Sequence, residues 1–126
     1  MLALEPLAGL RAVASPDALD AARWDAAGPV LRLAPDDAFA IGATSVALDD
    51  EHAIVTEETG FMGAWLSPDQ LEGRVMPHIE WPLPDARPAL AQGLIAGVPV
   101  KLWLTVESVL LVCAGSHAHE LGERLS

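Results

Sequence analysis

Few residues in this chain are of a type and spacing that could do chemistry. His117 and His119, separated by Ala118, have the spacing of two metal ligands on one face of a strand. On a helix, positions i and i+2 point apart, and the sequence places both histidines in the first turn of a final helix, beside Glu120. A metal site needs three or four ligands with support behind them. His52 and His78 lie far off in sequence and Cys113 is the sole cysteine, so the pair reads as polar cap residues and no metal site is predicted. Ser116-His117 invites a triad reading, but adjacent residues rarely face each other for proton transfer and no nucleophile elbow surrounds Ser116. Cys113 sits in the apolar run from Val109 to Ala114, where a small buried hydrophobe is expected and not a nucleophile with a base and solvent access. Asp49-Asp50-Glu51 and Glu57-Glu58 could offer carboxylate oxygens to a hard cation, yet the glycine and ligand spacing of a calcium loop is missing. They read as solvated hairpin ends. No phosphate-cradling glycine loop occurs. No catalytic residue, and no cofactor or metal site on this chain, is predicted.

The aromatic residues carry more signal. There are four tryptophans, two phenylalanines and no tyrosine. Trp65 and Trp103 fall inside strand-like stretches and are expected in the core. Trp24, beside Arg23 at the end of a first helix, is a candidate interface anchor, since Trp and Arg are favoured at interface centres; partial burial is the alternative. Ile79 and Trp81 lie in the segment from Met76 to Pro88, with four prolines in thirteen residues. Proline removes N–H donors and fixes φ, so this is an ordered extended connection. Its two large apolar side chains either pack back on the domain or meet a partner.

The elements that must position these residues follow from periodicity and caps. Ser15-Pro16-Asp17 and Ser67-Pro68-Asp69 each place an N-cap acceptor, a proline at the first helical position and an acid at the positive end of the helix dipole. Gln70 adds a capping box. The spacing predicts helices over about 16–26, 68–76 and 117–125. Strands are predicted at 10–14, 30–33, 38–41, 53–56, 61–66, 90–95, 100–106 and 109–113, with turns at Pro35-Asp36-Asp37, at Glu57–Gly60 and at Ala96–Pro99. Hairpin-connected strands with a few helices point to an α+β fold: antiparallel sheets with helices on one face, with ferredoxin-like halves as the candidate arrangement. The 52-residue offset between the two Ser-Pro-Asp units suggests duplication of those halves, against the alternative that any strand-to-helix junction favours this tripeptide.

Length and composition set the outer bounds. The chain has 126 residues, enough for one domain over 1–126. It is 52% hydrophobic, too apolar for a disordered chain. Its formal net charge is −11, from 18 acidic and 7 basic residues. Such a field repels phosphate backbones and anionic membrane surfaces. The longest charge-free segment of the C-terminal half, 89–100, is too short to span a bilayer, and the N-terminus lacks the basic region of a secretory signal. A soluble, cytoplasmic protein with protein partners is expected, with no nucleic acid and no membrane among them.

One stretch resembles a known family. The run Ala91-Gln92-Gly93-Leu94-Ile95-Ala96-Gly97-Val98-Pro99-Val100-Lys101-Leu102-Trp103 is similar to a segment near the C-terminus of the gamma subunit of heterotetrameric sarcosine oxidase. Upstream, Val30-Leu31-Arg32-Leu33-Ala34-Pro35-Asp36-Asp37-Ala38-Phe39 resembles that family's Leu-Gly-Pro-Asp-Glu-Phe pattern, with Ala34 and Asp37 departing from it. The resemblance covers about 29–125. It implies a fold related to the folate-binding domain of glycine-cleavage T-protein and its YgfZ-like relatives. It also implies a non-catalytic small subunit, or oligomer-forming interaction module, packed on larger flavoprotein subunits; self-association is the simpler outcome for the chain alone. FAD, FMN, NAD and tetrahydrofolate would be carried by the partner subunits, which oxidatively demethylate sarcosine. The fold implied by the resemblance also raises an alternative, a stand-alone folate- or pterin-binding domain, for which Trp65, Trp103 and Glu107 are the candidate contacts.

Overall fold

A computed structural model describes residues 1–126. The fold is α+β and mostly antiparallel sheet, divided into two compact units: Leu7–Gly60, and Met1–Pro6 with Phe61–Ser126. No helix is long and apolar enough to cross a membrane.

The unit Leu7–Gly60 is built from β1 (Glu5–Val13), α1 (Pro16–Asp20), β2 (Arg23–Ala26), β3 (Val30–Ala34), β4 (Asp37–Ile41) and β5 (Ala43–Ala47), followed by the start of β6 (Ile54–Leu66). Its strands run in the order β3-β4-β1, with β2 and β5 forming a separate ribbon. The helix begins where the cap predicts: Ser15 Oγ accepts the Ala18 N–H at 3.2 Å. It stops at Asp20 instead of continuing to residue 26, and Arg23-Trp24 belongs to a strand. Arg23 and Trp24 pair with Ala47 and Val46 of β5, so tertiary pairing overrides the local helical reading. One cluster of buried residues here is small, Ala12, Ala14, Ala18 and Ala38 with Leu19, while Leu31 and Phe39 of β3 and β4 are fully buried as well. The expected hairpin at Glu57–Gly60 is absent; residues 54–66 form one continuous strand.

The unit containing the C-terminus comprises the end of β6, α2 (Pro68–Gln70), β7 (Ala89–Ile95), β8 (Val98–Leu104), β9 (Val109–Ala114) and α3 (Ala118–Arg124), in the strand order β6-β9-β8-β7. The capping box forms as predicted: Ser67 Oγ accepts the Gln70 N–H and Gln70 Oε1 accepts the Ser67 N–H. From α2 the chain continues through a π-helical turn (Leu71–Val75) and a 3₁₀ turn (Met76–His78). The β7–β8 connection is a two-residue turn, Ala96-Gly97, with φ of 51° and 79°. That matches the primed turn whose twist suits a hairpin, and it is shorter than the four residues predicted. One sheet face presents Val100, Leu102 and Leu104 with Val109, Leu111 and Cys113. It is closed by Leu121 and Leu125 after the chain turns through Gly115–His117. Val75 and Leu2 complete this core.

Both units begin with a strand, a Ser-Pro-Asp helix start and, later, a hairpin whose second strand returns beside the first: β1-β4-β3 in one, β6-β9-β8 in the other. A ferredoxin-like order of elements is not shown.

Candidate functional site

The β-sheet of the C-terminal unit has a second face, set by side-chain alternation. Register places Trp65 opposite Leu110, Leu110 opposite Trp103 and Trp103 opposite Leu90. These four side chains therefore form one row across β6, β9, β8 and β7, spanning three strand spacings, roughly 14 Å. Leu110 is fully buried, while Trp103 and Leu90 are partly so. Trp65, expected in the core, is 54% exposed. It points from the face opposite the one that Leu66 buries, and lies toward the end of β6. An aromatic side chain offers up to about 250 Å², so covering what remains exposed would contribute about 3 kcal/mol.

The row lies near the sheet end where β6 and β8 stop and β7 and β9 start. There the β8–β9 connection is locked by its own side chains. Thr105 Oγ1 donates to the Ser108 carbonyl at 2.8 Å and accepts the Ser108 N–H at 3.0 Å. The tip of this turn holds Val106, 79% exposed, and Glu107, also exposed. Val106, predicted as strand, is thus pushed into solvent because Thr105 and Ser108 close the turn beneath it. Trp65 and Trp103 share one row, and Glu107 stands in the turn that follows the strand of Trp103. One row further along β8, Lys101 reaches 5.4 Å from the centre of the Phe61 ring, an aromatic contact that holds it away from the Trp103 row.

The other candidates are placed differently. Ile79 and Trp81 pack back against the core of their unit. The Trp81 Nε1–H donates to the Leu94 carbonyl at 2.8 Å, and its ring lies over Gly93, where a Cβ would come within 2.5 Å of the indole. A hollow of about 500 Å³ beside it is lined by Pro77, His78, Glu80, Trp81 and Leu94. Trp24 packs against the alanine-rich cluster of its own unit, and Arg23 is exposed. His119 pairs with Glu123 at 3.1 Å on α3. No three His, Cys, Asp or Glu residues converge. Burial raises the thiol pKa of Cys113, with Lys101 opposing slightly.

The acidic clusters serve the fold. Asp50 accepts the Ser15 N–H at 2.8 Å and the His52 N–H at 2.9 Å, which lower its pKa. Arg11 donates twice to Asp37 and once to Glu58. The bond to Asp37 is the largest cause of a raised Arg11 pKa. Burial pushes the Glu58 carboxyl up, but the Gly60 N–H and Arg11 outweigh it and hold its pKa down. This three-residue network was not predicted; an arginine inside a strand pattern was its only sequence signal.

No protein-family model, no curated protein and no solved structure matches the chain.

Proposed function

We propose that the chain is a non-catalytic small subunit, or interaction module, of a larger flavin-dependent complex resembling sarcosine oxidase. The observation that supports this is Trp65, a large aromatic side chain half in water at the end of the Trp65–Leu110–Trp103–Leu90 row, with Val106 exposed in the turn after β8. Tryptophan anchors of this kind dominate binding energy at protein interfaces. The resemblance over about 29–125 implies the kind of partner, an amine-oxidising flavoprotein that would itself carry FAD, FMN, NAD and tetrahydrofolate. The chain's role is then adhesion and positioning. Co-expression with its genomic neighbours and affinity capture tests this reading: a stoichiometric complex with flavin absorbance is expected. Purification as a lone monodisperse monomer, with no flavoprotein bound, would overturn it.

A second reading has one observation in its favour. Trp65 and Trp103 share a row, and Glu107 stands in the turn after β8, so a folate or pterin ring could stack there. Titration with tetrahydrofolate followed by tryptophan fluorescence decides it; absence of quenching at millimolar ligand removes it.

A further inference from the structure

We infer that the hollow beside Trp81 binds a small organic cation, an alkylammonium or guanidinium group, independently of any flavoprotein partner. The hollow, about 500 Å³, lies within the C-terminal unit, between the chain at 77–81 and the β7–β8 turn. Its frame is tied at both ends. At one end the Ala96 N–H donates to the His78 carbonyl at 3.3 Å. At the other the Trp81 Nε1–H donates to the Leu94 carbonyl at 2.8 Å. Arg124 Nη1 donates to the Ala96 carbonyl at 2.6 Å and fixes the turn from α3. The walls are therefore in place before a ligand arrives, which spares part of the ordering cost of binding.

The wall combines an aromatic surface with one formally charged group. Gly93 seats the indole: a Cβ there would come 2.5 Å from Cε2 and 2.7 Å from both Cζ2 and Nε1, the pattern of an approach onto a ring face. Gly93 is not in the wall of the hollow and Trp81 is, so the hollow meets the ring away from that seated face. Between the two ties, Ile79 is extended (φ −103°, ψ 130°) and packs on the core. Its neighbours His78 and Glu80 project the other way, and both line the hollow. The Glu80 carboxylate makes no hydrogen bond or ion pair with the protein, and neither does the His78 imidazole. No Lys or Arg lines the hollow. Arg124, at the turn, is paired with Glu120, Arg87 is turned onto the carbonyls of Pro84 and Ala86, and Arg74 of the π-helical turn is not in the wall.

A cation against the open side of the indole, with its charge toward Glu80, gains from the ring quadrupole and from the carboxylate together. An anion would meet Glu80 with no free cation in the wall to answer it.

The test follows the four indole N–H signals of the isotope-labelled full chain by NMR, at about pH 8, above the ordinary histidine range. The probes are tetramethylammonium and guanidinium, with neutral tert-butanol and sodium acetate as comparisons. A saturable shift of the Trp81 Nε1–H is expected with both cations, at a Kd on the order of millimolar, and none with the comparisons. Glu80→Gln, at an exposed position, should weaken both cations roughly threefold or more with an unchanged circular dichroism spectrum. N-acetyl-lysinamide and N-acetyl-argininamide separate the two sources of such a cation: tighter binding than the simple probes assigns the hollow to a partner's side chain, weaker binding to a free amine. No saturable shift up to about 100 mM cation, equal binding of tert-butanol, preference for acetate, a shift led by Trp65, or undiminished affinity in Glu80→Gln would each overturn the inference. None of these outcomes bears on flavoprotein capture, so the subunit reading stands or falls separately.

Discussion

Substituting Gly93 by alanine probes how the proline-rich connection is held to the sheet. A Cβ at this position would lie 2.5 Å from Trp81 Cε2 and 2.7 Å from Nε1. Ordinary contact between carbons needs about 3.5 Å, so the indole must retreat by about 1 Å. The Nε1–Leu94 hydrogen bond, now 2.8 Å, then opens to roughly 3.8 Å and is lost. Losing that bond costs about 1 kcal/mol, and forcing the ring off its seat costs about 1–3 kcal/mol more. Gly93→Ala should therefore destabilise by about 2–4 kcal/mol. In a Trp81→Ala background the same change should be nearly neutral, because the obstacle is gone and alanine loses less chain entropy than glycine. Urea unfolding of the four proteins, followed by circular dichroism, gives the coupling directly. A cost for Gly93→Ala that persists undiminished without the indole would refute the reasoning and place the strain elsewhere.

Other expectations concern the fold and its charges. Leu121→Ala, fully buried in the core beneath β7–β9, should cost about 2–5 kcal/mol in urea unfolding. Trp65→Ser, in contrast, should change stability by less than about 1 kcal/mol, since its ring is already half in solvent. Ala96 holds φ of 51°, a region alanine disfavours and asparagine tolerates, so Ala96→Asn should raise the melting temperature by a few degrees. The Glu58 and Asp50 carboxyls have lowered folded pKa values. Their stabilisation is present above the usual carboxylate range, near pH 4, and is lost as pH falls through the folded values. Glu58→Gln should flatten that acid limb of the stability–pH curve; an unchanged limb would remove Glu58 from the account.

The sheet of the C-terminal unit was legible because its strands are long, apolar and punctuated. Leu102 and Leu104 alternate against Trp103, and Gly97 marks the turn. Both Ser-Pro-Asp helix starts were legible too, since a cap acts on its own next three residues. What lay outside the sequence was tertiary. Helix α1 is cut short because Arg23 and Trp24 find partners in β5, a strand whose Ala43, Thr44 and Ser45 carry little pattern. The Glu57–Gly60 turn signal failed because Glu58 spends its carboxylate on Arg11 and the Gly60 N–H, which suits an extended chain. Trp65 was expected inside because it falls within a strand-like stretch; alternation places it on the face opposite Leu66, and its position near the strand end leaves it partly wet. The site was legible in residue type, through Trp65, Trp103 and Glu107, and not in arrangement, since the shared row depends on register across β9.

The unequal exposure of the four tryptophans also makes the protein its own spectroscopic probe. With no tyrosine present, near-ultraviolet absorbance and emission belong almost wholly to indoles. The component most accessible to an aqueous quencher is Trp65. A blue shift and shielding of that component would report occupancy of the row in real time, without any label attached to the chain.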